Sequence, residues 1–166
     1  KIKSIVILNT AAYPDVSIPK SIAFCRLPVV GEWMVRGLNA FAWPATFMTT
    51  EKPLTSELKK AYLYPYNNYK NRVAISRFVQ DIPMEKDHPT YPTMSEIESK
   101  LPTLKCPKMI IWGGKDFCFN DSFYNRWKGF YPDAKDIYLK DAGHYVLEDA
   151  GEKVIEQMTE FYQTLN

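Results

Sequence analysis

Two short apolar runs, Ser4-Ile5-Val6-Ile7-Leu8 and Lys108-Met109-Ile110-Ile111-Trp112, with a third strand-like run from about Lys135 to Leu139, most constrain what the chain can fold into. The first two are continuous, too short for helices and rich in β-branched residues. A strand buried on both faces of a parallel sheet reads this way. Helical patterns follow the second and third runs. Asn120 or Asp121 caps a segment carrying Phe123, Trp127 and Phe130, and Val154, Ile155, Met158, Phe161, Tyr162 and Leu165 recur at amphipathic spacing. Alternation of strands and helices predicts an α/β fold with three parallel strands and flanking helices.

Between the first two runs the pattern changes. Prolines from Pro14 to Pro102 divide the stretch into short helical segments. Trp33, Met34, Leu38, Phe41 and Ala42 are spaced for one helix, Leu58, Ala61 and Tyr62 for another, and Val73, Ile75, Phe78 and Val79 for a third. Thr93 and Glu96 have the spacing of a capping box opening a helix that runs to about Lys100. The expected organisation is a first core strand over residues 1–12, a helical lid over 13–104 and a C-terminal α/β core over 105–166.

Composition narrows the class. Apolar residues make up 46% of the 166, enough for a packed core. Lys+Arg total 21 against 19 for Asp+Glu, and no basic cluster occurs, so no nucleic-acid partner is expected. No apolar run reaches the length of a membrane span, and Lys1 to Leu8 lacks the features of a signal peptide. The three cysteines, Cys25, Cys106 and Cys118, are too few and too scattered for a disulfide framework or a CxxC metal site. A reduced, cytoplasmic setting is expected, with no metal and no cofactor. A doubly buried strand within the first eight residues implies that an N-terminal half is missing. Its edge would then pair with that half, or with a second copy as a homodimer.

In open parallel sheets, chemistry gathers beyond the carboxyl ends of the strands. Asn9, Asp116 and His144 follow the three runs in turn. The second and third strands are sequential and so expected to be neighbours, which would bring Asp116 and His144 to one rim. An Asp that accepts a proton from one ring nitrogen orients a histidine and leaves the other nitrogen as a base. Bland readings compete: Asp116 as a turn or cap residue, His144 as structural, Asn9 as a turn residue bonded to its own backbone. His88, in Lys86-Asp87-His88-Pro89, reads as solvated surface.

The order of acid then histidine, with a helical segment before them, resembles the C-terminal half of an α/β-hydrolase. Trp112-Gly113-Gly114-Lys115-Asp116-Phe117 and Asp141-Ala142-Gly143-His144-Tyr145-Val146-Leu147-Glu148 are similar to the acid and base motifs of haloalkane dehalogenases. Cys25-Arg26-Leu27-Pro28, the segment from Gly31 to Phe41, and Arg77-Phe78-Val79-Gln80-Asp81-Ile82-Pro83 resemble one branch more closely. That branch includes the dehalogenase-like β-lactone decarboxylases of bacterial olefin biosynthesis.

The resemblance implies that His144 is the base and Asp116 its acid in an Asp-His-Asp triad. One dehalogenase subfamily carries its acid after the strand preceding the lid, where this chain has Asn9-Thr10-Ala11-Ala12 and no carboxylate. It also implies a nucleophilic aspartate and an oxyanion hole in an N-terminal half, and no G-x-S-x-G or equivalent elbow is present here. The chain alone is therefore expected to be inactive. A small hydrophobic substrate is implied, with Asn9, Trp33, Met34, Phe41, Phe78 and Tyr145 as pocket candidates. Helical aromatic spacing equally suits packing of the lid. An epoxide hydrolase, drawing on Tyr62, Tyr64, Tyr66 or Tyr69, and a non-catalytic binding module remain open alternatives.

Overall fold

The computed structural model describes residues 2–14 and 17–165. Lys1, Asp15, Val16 and Asn166, which fall within the expected segments, lie outside the described residues. The chain divides into two compact units. One comprises Lys1–Tyr13, Thr49–Lys52 and Ser95–Asn166; the other comprises Pro14–Met48 and Pro53–Met94.

The first unit is built on a parallel sheet in the order β1 (Ile5–Leu8), β2 (Lys108–Gly113), β3 (Lys135–Leu139). Ile5 pairs with Lys108, and Met109 with Lys135. Each strand ends close to the bounds expected from its apolar run. β2 is the central strand, and Met109, Ile110, Ile111 and Trp112 are all 0% exposed. Alternation sends its side chains to opposite faces. Ile110 and Trp112 join Phe123, Tyr124 and Trp127 of α7 (Asp121–Phe130) in one core. Met109 and Ile111 join Val146, Val154 and Phe161 of α8 (Val146–Gln163) in the other. Asn120 caps α7 by accepting from the Ser122 N–H, as its sequence position suggests. Trp112 Nε1 donates to the Phe119 carbonyl at 3.1 Å, so its polar edge is satisfied inside the core.

Full burial on both faces holds for β2 but not for β1. Only Ile7 of β1 is buried, because among the described residues β1 has a single strand neighbour, β2.

The second unit contains α1 (Lys20–Cys25), α2 (Val30–Glu32) leading into a π-helical turn (Trp33–Gly37), α3 (Ala42–Met48), α4 (Ser56–Leu63), α5 (Val73–Gln80) and the start of α6 (Tyr91–Lys100). Cys25, Val35 and Val79 form its core, with Ile22, Phe41 and Ile75 packed around them. A Cβ on Gly31 would lie 2.2 Å from the Cys25 carbonyl oxygen, so only glycine allows α1 and α2 to meet this closely. Arg26 donates to the carbonyls of Val79 and Ile82, and Arg72 to those of Tyr66 and Arg36, tying segments that prolines keep short.

Three local expectations are corrected. Thr93 does not cap a helix: α6 starts at Tyr91, and the Met94 N–H bonds to the Thr90 carbonyl. Pro92 sits within the first turn of α6, where a missing N–H costs nothing, so it does not separate segments there. His88 is half-buried, not solvated. Its Nδ1 lies 2.9 Å from Thr90 Oγ1 and its Nε2 3.1 Å from the Gln80 carbonyl, closing the loop between α5 and α6.

Truncating the centre of the first unit should be costly. Trp112→Ala is expected to lower stability by about 3–5 kcal/mol in equilibrium urea unfolding. Ile155→Ala, on the exposed side of α8, should change it by no more than about 0.5 kcal/mol.

Candidate active site

The site forms where the loops after the three strands meet. A Cβ on Gly113, at the end of β2, would stand 2.3 Å from the Gly143 carbonyl oxygen and 2.8 Å from that of Ala142. The loop after β3 therefore lies directly over the end of β2. The Lys115 N–H donates to the Ala142 carbonyl at 2.9 Å and the Gly114 N–H to that of Leu139 at 2.9 Å. On the other side, the Gly113 N–H donates to Asn9 Oδ1 at 2.8 Å. Asn9 adopts φ 25°, in the left-handed region that asparagine tolerates better than most residues.

These contacts bring Asn9, Asp116 and His144 together. Asp116 Oδ1 accepts from the N–H groups of Cys118 at 2.6 Å and Phe119 at 3.0 Å. Its Oδ2 accepts from Asn9 Nδ2 at 2.7 Å and from His144 Nδ1 at 2.8 Å. The Asp116 side chain has no solvent exposure, whereas that of His144 is 23% exposed. A carboxylate only accepts hydrogen bonds, so the proton in this pair sits on Nδ1 and the lone pair of Nε2 is available. Nε2 has no hydrogen-bond partner among the described residues. Phe119 and Tyr145 flank the imidazole, with ring centroids at 5.6 and 5.7 Å. The arrangement can hold a neutral imidazole in one tautomer and stabilise the imidazolium once it takes a proton.

Asn9, one of the pocket candidates, is buried with its amide committed to Asp116 and Gly113; it braces the acid. Tyr145 is half-buried and directly follows the histidine, with its N–H donating to the Thr49 carbonyl at 2.8 Å. Trp33, Met34, Phe41 and Phe78 belong to the second unit. There Phe41 packs on the core, while Trp33 and Phe78 are exposed. The three cysteines are unpaired. Among the described residues, no group of three His, Cys, Asp or Glu side chains is placed to hold a metal. No helix among them is long and apolar enough to cross a membrane.

Sequence reasoning missed Asp149. It reads as a solvent-facing acid in the first turn of α8, yet it is buried and accepts from the N–H groups of Gly143, Glu51 and Lys52. The one available signal was its place five residues beyond His144, in the turn that the histidine loop feeds.

Two measurements check this geometry. Asn9→Ala strips a donor from Asp116 and leaves the Gly113 N–H unpaired, and should cost about 1–3 kcal/mol in urea unfolding. Burial, reinforced by the Asp116 charge, pushes the Cys118 thiol up from 9.0 to about 12. Cys118 should therefore escape alkylation at pH 8 in the folded chain and react only on unfolding, as read by peptide mass mapping. The unfolded chain gives up this proton near pH 9 and the folded chain holds it to about 12, so this contribution to stability is full below 9 and declines between them.

No family model matches the chain. A cis-3-alkyl-4-alkyloxetan-2-one decarboxylase of Shewanella oneidensis is 38% identical over 166 residues, covering 97% of this chain and 52% of the relative. One from Xanthomonas campestris pv. campestris is 34% identical over 150 residues, covering 88% and 50%. The chain thus spans about half the length of the curated relatives it matches. Among solved structures, a haloalkane dehalogenase from Bradyrhizobium elkanii superposes with a TM-score of 0.89 at 18% identity, over 99% of this chain and 60% of that one. A haloalkane dehalogenase from Agrobacterium tumefaciens superposes at 0.81 and 18%, over 99% and 59%. Three parallel strands, flanking helices and a helical insertion between the first two strands thus make this chain the C-terminal part of an α/β-hydrolase fold, resembling the haloalkane dehalogenases and the dehalogenase-like β-lactone decarboxylases.

Proposed function

We propose that this chain carries the base and the acid of an Asp-His-Asp triad, and that the polypeptide containing it opens a small hydrophobic β-lactone. The observation that carries this reading is the pair itself: a fully buried Asp116 carboxylate 2.8 Å from Nδ1 of a histidine whose Nε2 is unengaged. The choice of β-lactone rests on the relatives, which are named for an oxetan-2-one, a four-membered lactone.

The nucleophile comes from another stretch of polypeptide, since this sequence holds no nucleophile elbow. A carboxylate there attacks the substrate and forms an ester. His144 takes the proton from the water that cleaves this ester, and Asp116 stabilises the resulting imidazolium. In the decarboxylase variant no water is consumed: attack at the ring carbon bearing the lactone oxygen breaks that C–O bond and frees the ring carboxylate. This carboxylate loses carbon dioxide as its C–C electron pair forms the alkene and the ester C–O bond breaks to restore the attacking carboxylate, with the His144–Asp116 pair countering the charge as it moves. The likeness of fold favours haloalkane hydrolysis as the second reading, because the same base and acid would serve it. Further strands of the longer polypeptide would pair along the edge of β1 that has no strand neighbour among the described residues. The unpaired cysteines suit a reducing, cytoplasmic compartment.

The test uses the full-length polypeptide, offered a cis-3,4-dialkyl β-lactone and a haloalkane in parallel, with alkene and halide as readouts. The lactone should be consumed, and His144→Ala should reduce turnover by about 10²- to 10⁴-fold. The 166-residue chain alone should give no turnover above the uncatalysed rate. Turnover by the isolated chain that vanishes with His144→Ala would refute the division of the triad. Full-length turnover indifferent to His144 would leave the chain a non-catalytic binding module.

A further inference from the structure

His144 is held by its neighbours as well as by Asp116. The Gly143 N–H, immediately before it, donates to Asp149 Oδ2 at 2.7 Å. The Tyr145 N–H, immediately after it, donates to the Thr49 carbonyl at 2.8 Å. Both ties end on one small structure, because Asp149 also grips the segment that carries Thr49. Its Oδ1 accepts from the N–H groups of Glu51 at 3.0 Å and Lys52 at 2.9 Å, and Lys52 Nζ donates back to the Asp149 carbonyl. The Asp149 side chain also lies 3.2 Å from where a Cβ on Gly143 would stand, and the Thr49 carbonyl oxygen 2.8 Å. A single buried carboxylate thus fastens the histidine loop to residues 49–52.

We infer that Asp149 is a positioning residue for His144: it sets the backbone on either side of the imidazole, so that Nδ1 meets Asp116 and Nε2 faces the reacting groups. The inference rests on reading His144 as the base, and goes beyond it by assigning a second acid to the site. Asp149 touches no reacting atom in this role. Its effect passes through the Gly143 and Glu51 peptide groups, and misplacing a catalytic group by even an ångström is costly to rate. Three N–H groups converging on one carboxylate are charge-assisted hydrogen bonds that fix geometry more firmly than neutral ones.

The test is Asp149→Asn in the full-length polypeptide. The amide is nearly the same shape, yet its NH₂ must face an N–H donor whichever way it turns. Two readouts are needed: steady-state kinetics, and the far-downfield proton resonance of His144 Nδ1–H, assigned by its loss in His144→Gln. The expected result is a kcat lower by about 10²-fold with KM within about twofold, together with loss or displacement of the Nδ1–H resonance. A folded variant that melts at a lower temperature but keeps kcat and the resonance would overturn the inference, leaving Asp149 a role in the fold alone. Should Asp149→Asn fail to fold, Gly143→Ala carries the test: its methyl group wedges between Asp149 Oδ2 and the Thr49 carbonyl, and the same two changes are expected. An unperturbed resonance and kcat in that variant would likewise overturn it. If the parent polypeptide consumes neither substrate, the proposed function fails while the resonance still decides the role of Asp149.

Discussion

At the end of β2 the backbone of Ala142 and Gly143 crosses so near Gly113 that no side chain fits between them. This close approach is the constraint on which the site depends. It places the loop after β3 against the loop after β2, while on the other side the Gly113 N–H bonds to Asn9 Oδ1. Ordinary strands leave about 4.8 Å between neighbours along the sheet. A loop that must bridge two strand ends and also aim a histidine needs closer contact than that. Glycine at 113 and 143 permits it, and the hydrogen bonds from Gly114 and Lys115 to the later loop fasten it.

Once the loops are brought together, two buried carboxylates divide the work of holding them. Each would be expensive to bury unpaired, and each is surrounded by donors. Asp116 receives two backbone N–H groups, an amide and an imidazole. Asp149 receives three backbone N–H groups. The difference in partners separates their roles. Asp116 alone meets a side chain that can change charge, whereas Asp149 meets only peptide groups.

The strands were legible because burial on two faces leaves an unambiguous signature: four consecutive apolar residues, Met109 to Trp112, can only be accommodated in the middle of a sheet or a buried helix, and their shortness excludes the helix. Asp116 and His144 were legible because they follow such strands directly. Less could be read where a residue's role depends on partners distant in sequence. Asp149 looks like any acid in a first helical turn, and nothing local announces that Glu51 and Lys52 donate to it across 98 and 97 residues. Residues 49–52 gave no sign of leaving the helical stretch, since their place is set by that carboxylate and by the Thr49 carbonyl. Thr93 misled for a local reason: the capping pattern is satisfied on paper, but Pro92 suits a first turn equally well and the helix starts earlier.

The pairing of β1 with β2 has a kinetic consequence. Met109 meets Lys135 across a short, helix-filled connection, while Asn9 reaches Gly113 across a separation of 104 residues. Contacts that close small loops form early, and those that must gather a long intervening chain form late. The acid and the histidine are only 28 residues apart, so their meeting closes a much smaller loop than the one that seats Asn9 against Asp116 across 107 residues. The amide brace on the acid is therefore the part of the site whose formation confines the longest stretch of chain.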